Sequence, residues 1–119
     1  MMARRLAPLA DAAVLAVFVL LGRAEHDSGS SLIGYFATLA PFIIGLAIAW
    51  LAVTEVRTQP LAGRSGLIVW ACALLIGLAV RRVVFGDGIA LAFIIVASAF
   101  TGFGLNGWRA VVRRVPASD

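Results

Sequence analysis

The chain has 119 residues, 62% hydrophobic and 13% charged, with a net charge of +4. That charged fraction is about half what a soluble domain carries, so a water-soluble fold is excluded. The basic residues are all arginines. They stand singly or in pairs at the ends of apolar runs, which excludes the continuous basic face of a nucleic-acid binder.

The first apolar run covers residues 6–22. Arg4 and Arg5 before it, with Gly22 and Ala24 at its end, outline a secretory signal peptide. Asp11 inside the run and three further runs downstream favour a retained first span instead. Pro8 suits the first turn of a helix, where its missing N–H costs nothing. Asp11 then has two readings. A helix starting near Leu6 puts the carboxylate about 7 Å inside the span, a depth at which an acid marks a functional site by default. A helix starting at Pro8 puts it at the end of the first turn, where the helix dipole favours an acid.

Gly22–Ser31 has the Gly, Ser and Asp content of a solvated turn. The second run, 32–53, carries Pro41 mid-span, which removes a hydrogen bond and predicts a kink. Thr54–Arg64, with Pro60 and Gly63, reads as a connection. The third run, 65–85, contains the lone Cys72, which offers no disulfide framework. Gly86-Asp87-Gly88 makes a tight turn with Asp87 placed to cap the last helix, and the fourth run spans 88–108. Each run is long enough, at ~1.5 Å per residue, to cross most of a hydrocarbon core of ~30 Å. In lipid such stretches satisfy their backbone only as helices. The expected architecture is all-α: one domain, 1–119, an integral membrane four-helix bundle resident in the cell membrane.

Arginine placement sets the orientation. Four spans put Arg4, Arg5, Arg57, Arg64, Arg109, Arg113 and Arg114 on one side and Arg23, Arg81 and Arg82 on the other. The positive-inside rule then makes both termini cytoplasmic. Trp50, Trp70 and Trp108 fall toward the cytoplasmic interface, and Tyr35, Phe36 and Phe85 toward the outer one, as aromatic belts do.

Small residues four apart supply packing faces: Gly34/Thr38, Gly45/Ala49, Ala73/Gly77 and Ser98/Gly102. Gly34, Pro41, Gly45, Gly77 and Gly102 are the expected packing positions. On the outer side Arg23, His26, Arg81 and Asp87 are expected to approach one another, His26 being sensitive to protons near neutrality. Glu25 and Arg82 read as solvent- and headgroup-facing. At the cytoplasmic end Asp11 and Arg109 are expected to pair, since an acid at depth needs a partner. Asn106 is placed to add a hydrogen bond, and Arg113 to reach in from further out. One histidine and one cysteine fall short of a metal ligand set, no catalytic motif appears, and no cofactor is expected.

The order of marks resembles the small prokaryotic membrane proteins grouped as domain of unknown function 3054. Those marks are Asp11, Gly22-Arg23-x-x-His26, Pro41-Phe42-x-x-Gly45, Arg81, Phe93 and Gly107-Trp108-Arg109. Glu25 departs from the small hydroxyl residue expected there. The resemblance implies a four-helix membrane protein with Asp11, Arg23, His26, Arg81 and Arg109 in its pattern, and it brings no activity, substrate or cofactor.

Two functions compete. One is a non-enzymatic bundle whose partners are the lipid bilayer and a copy of itself or another membrane protein. The other is a small oligomeric transporter or channel for an ionic or proton-coupled solute. Against the second, dual-orientation exporters lack a strong arginine bias, and fluoride-channel marks are missing. A third, pH sensing, rests on His26 alone.

Overall fold

The apolar runs have too few polar side chains to satisfy a non-helical backbone, and the described residues fold as helix almost throughout. The computed structural model describes residues 2–25, 32–83 and 91–115. Its elements are α1 (Met2–Glu25), α2 (Leu32–Ala52), α3 (Thr54–Thr58), α4 (Gly63–Val83) and α5 (Leu91–Arg114). The all-α expectation holds across these residues.

Several boundaries differ from the sequence reading. α1 starts at Met2, so Pro8 lies inside the helix rather than in its first turn. Asp11 is therefore about 14 Å along the axis at 1.5 Å per residue, and the first-turn reading is corrected. α2 continues as one helix through a buried Pro41. α5 runs past Trp108 to Arg114, which puts Arg109 within a helix and not beyond its end. The connection after α2 is not a plain loop: it contains α3, whose Val56 is fully buried. Gly86-Asp87-Gly88 and its expected cap lie outside the described residues.

Among the described residues three helices are long and apolar enough to cross a membrane, with windows at Arg5–Gly22, Ile33–Ala52 and Gly63–Val83. The sequence reading had four. α5, at 24 residues, matches α1 in length.

The four long helices form a ring in which α1 touches α2 and α5, and α4 touches α2 and α5. The α2–α4 pair is the most extensive, and glycine explains it. A Cβ on Gly45 would lie 2.6 Å from the carbonyl oxygen of Cys72 and 2.9 Å from Cα of Ala73. Backbone therefore meets backbone, as small-residue faces allow in lipid. Gly77 leaves room for the ring of Phe42, and Gly102 for the indole of Trp70. Of the five expected packing positions, Gly45, Gly77 and Gly102 thus mark tight contacts. Pro41 is buried, while the Gly34 carbonyl accepts from the Thr38 hydroxyl at 3.0 Å within its own helix.

The mid-bundle core is aromatic. Phe18 stands edge-on to Phe42 with ring centroids 5.9 Å apart and tilts against Phe100 at 5.6 Å. Leu15, Leu46, Ala97 and Leu105 are buried with them. The outside inverts the usual pattern of a soluble protein. Large apolar side chains such as Leu9 (66%), Leu75 (64%) and Phe103 (84%) are exposed, while Asp11, Ser65, Thr101 and Arg109 are buried. Such an apolar exterior is consistent with a membrane protein.

Candidate functional site

One end of the ring gathers residues from every long helix. α1 brings Asp11, α2 brings Trp50, α4 brings Gly66, and α5 brings Leu105, Trp108 and Arg109. Both charged groups are fully buried, at 0% exposure.

The pairing of Asp11 with Arg109 is bidentate. Arg109 Nη1 donates to Asp11 Oδ1 at 2.7 Å and Nη2 donates to Oδ2 at 2.8 Å. Two indoles complete the carboxylate: Trp108 Nε1 donates to Oδ1 at 2.8 Å and Trp50 Nε1 to Oδ2 at 3.0 Å. Each oxygen thus receives two donors, which fills its lone-pair positions. The guanidinium is equally engaged. Its Nε donates to the Pro60 carbonyl at 2.7 Å, and Nη1 also donates to the Leu105 carbonyl at 2.8 Å. Trp108 serves twice, since the Arg109 Cζ sits 4.6 Å from its ring centroid. A buried ion pair is tolerable only when its remaining hydrogen-bonding capacity is met in this way.

Residues 53–62 close the end of the bundle over the pair. Val56 and Pro60 are buried, and the strap is tied at several points. Ser65 Oγ donates to the carbonyls of Gln59 at 2.6 Å and Glu55 at 3.2 Å. Arg57 Nη1 donates to the carbonyls of Trp50 at 2.9 Å and Leu51 at 2.5 Å, both in the last turn of α2. Arg113 Nη1 donates to the Leu61 carbonyl at 2.6 Å. Arg64 pairs with Glu55 at 3.1 Å across the surface. Arg109 reaches the strap through the Pro60 carbonyl.

Gly66 makes that reach possible. A Cβ there would lie 3.0 Å from Arg109 Cδ and would collide with the Asn106 side-chain oxygen. Asn106 itself does not join the pair as expected; its Nδ2 donates to the Gly102 carbonyl at 2.9 Å, one turn back in α5. Arg113 does not join it either, being held on Leu61.

The tryptophan N–H groups have partners that the belt reading does not specify. Trp50 and Trp108 turn inward onto Asp11, and Trp70 Nε1 donates to the Ser98 carbonyl at 3.1 Å between α4 and α5. Tyr35 donates to the Ala16 carbonyl at 2.9 Å. The signal was available: an indole N–H within an apolar helix must find an acceptor, and Asp11 is the one acid inside the four apolar runs. For Pro60 and Gly66 the sequence carries no comparable mark.

Of the expected outer cluster, Arg81 is half-buried near the end of α4. His26, Asp87 and the Arg23 side chain lie outside the described residues. Among the described residues no group of His, Cys, Asp and Glu is placed to hold a metal.

The sequence matches, over residues 8–112, the family described as "Protein of unknown function (DUF3054)". The chain belongs to that family. The match bears out the DUF3054 resemblance read from the sequence, and the matched segment contains both Asp11 and Arg109. Membership assigns no activity to the paired residues. No curated protein matches the chain, and no solved structure does.

Proposed function

We propose that the protein is a four-span bundle of the cell membrane with both termini cytoplasmic, and that its role is assembly or interaction within the bilayer and not catalysis. α5 is the fourth span. Its length supports this, as does a long dimension of 42 Å, close to the ~40–45 Å of a bilayer with its headgroups. The exposed leucines, valines and phenylalanines are then the lipid-facing surface, and the strap faces the cytoplasm with Arg57, Arg64, Arg113 and Arg114 around it.

The observation that carries the reading is the closed state of the Asp11–Arg109 pair. A carboxylate takes up a proton on a lone pair that no donor already occupies. This one has four donors and no exposure. To take a proton it would have to shed a donor and open the strap. Deeper in the bundle the buried core contains Leu15, Phe18 and Phe42, which are apolar. The pair therefore acts as a lock that fixes α1, α2 and α5 in register beneath the strap.

Purified protein reconstituted into vesicles tests this. The expected result is proton and monovalent-ion flux equal to that of empty vesicles across pH 5–8. A pH-driven flux abolished by Asp11→Asn would replace the assembly reading with transport.

A further inference from the structure

A lateral groove of about 560 Å³ opens on the outer side of the α4–α5 contact. Leu67 and Trp70 of α4 form one wall, and Ser98, Gly102, Phe103 and Ala110 of α5 are among those forming the other. The groove exists because α5 presents Ala99, Gly102, Asn106 and Gly107 where larger side chains would fill it. A Cβ on Gly107 would meet nothing within 4 Å. Its lining is almost wholly apolar, and Phe103, 84% exposed, forms its outer rim.

The end nearest the strap is cationic. Arg114 stands one turn beyond Ala110 on the same side of α5 and is exposed. Arg113, also exposed, spans from α5 to the Leu61 carbonyl just ahead of α4, so its guanidinium crosses the top of the gap. Arg64, one turn before Leu67, adds a third exposed guanidinium, with its Nε held on Glu55. A slot for an alkyl chain thus runs into a mouth for an anionic head.

We propose that this groove binds an anionic phospholipid, with one acyl chain along Trp70 and Gly102 and its phosphate between Arg113 and Arg114. The charge complementarity selects the occupant. A zwitterionic lipid carries a compensating cation that the same guanidiniums repel, and a neighbouring apolar helix would give them nothing to bind. Basic sites at the cytoplasmic ends of helices recognise such headgroups. The proposal rests on the membrane reading above and adds a specific ligand to it.

Trp70 is a built-in reporter. The full-length protein is reconstituted in phosphatidylcholine vesicles that contain either phosphatidylglycerol or phosphatidylcholine brominated on its acyl chains. Quenching of Trp70 is the portion lost in Trp70→Phe. Brominated phosphatidylglycerol should be preferred by about fivefold for each guanidinium engaged. Arg113→Gln with Arg114→Gln should remove the preference, and Arg114→Lys should keep most of it. Ala99→Leu with Ala110→Leu, which fills the groove at two non-buried positions, should abolish Trp70 quenching by both lipids. Equal quenching by the two lipids in protein that has inserted would overturn the lipid site and leave the membrane reading intact. So would a dimer whose α4–α5 faces cross-link and exclude both lipids. Failure to enter vesicles at all would instead defeat the membrane reading beneath it.

Discussion

Asp11 depends on four donors from three other side chains, and each donor has a separable effect. Trp50→Phe and Trp108→Phe each remove one indole N–H from a buried carboxylate. Each should lower stability by about 1–2 kcal/mol, within the range for hydrogen bonds to charged groups and for polar contacts in membranes. Trp108→Phe should cost more than Trp50→Phe, because it also alters the ring stacked on Arg109; unfolding midpoints of the two variants in one detergent decide the order. Arg109→Lys keeps the charge but cannot match both carboxylate oxygens and the Pro60 carbonyl together. It should therefore behave nearly as badly as Arg109→Ala, and a thermal midpoint close to wild type would contradict the fork geometry. The partnership of Asp11 and Arg109 was legible in the sequence, because an acid within an apolar run needs a cation and the antiparallel threading brings Arg109 to the same end. The indoles were legible in principle but were absorbed into the belt pattern, which places tryptophans by depth and says nothing about where their N–H groups point.

Helix boundaries and contacts follow less directly from the sequence. Pro8 sits inside α1 because the preceding residues 2–7 are themselves helical, and a proline alone does not say whether it opens a helix or interrupts one. Apolar periodicity also overlooks α3, whose five residues are too few to show a period. The glycine pairs were better guides, since Gly45 and Gly77 both lie at the α2–α4 contact. They do not respond alike to substitution. Gly45→Ala sets a methyl against backbone of α4, which cannot move without separating the helices, and should cost about 1–3 kcal/mol. Gly66→Ala meets only side chains, the Asn106 amide and the Arg109 stem, and the flexible amide can turn aside. Gly66→Ala should therefore cost less than Gly45→Ala in wild-type protein and almost nothing once Arg109 is alanine. Unfolding of the single and double variants separates steric loss between helices from displacement of the guanidinium.

At the scale of the molecule, the four apolar runs made an all-helical bundle legible before any coordinates. The ring order was not, because adjacency of α1 with α5 depends on side-chain fit between distant segments, such as Val14 against Gly104. The orientation argued from arginines predicts that Ser118→Cys, in a Cys72→Ala background, is labelled by an impermeant thiol reagent only after the cells are opened. Labelling of intact cells would reverse the topology. The central claim is that a buried ion pair locks α1, α2 and α5 together, and a double-mutant cycle on Asp11 and Arg109 tests it most directly. Asp11→Ala strands a buried guanidinium and should cost about 3–5 kcal/mol. Arg109→Ala should cost a similar amount, and the double variant should be little worse than either single one. Single-variant losses that simply add, or an Asp11→Ala protein as stable as wild type, would contradict the lock.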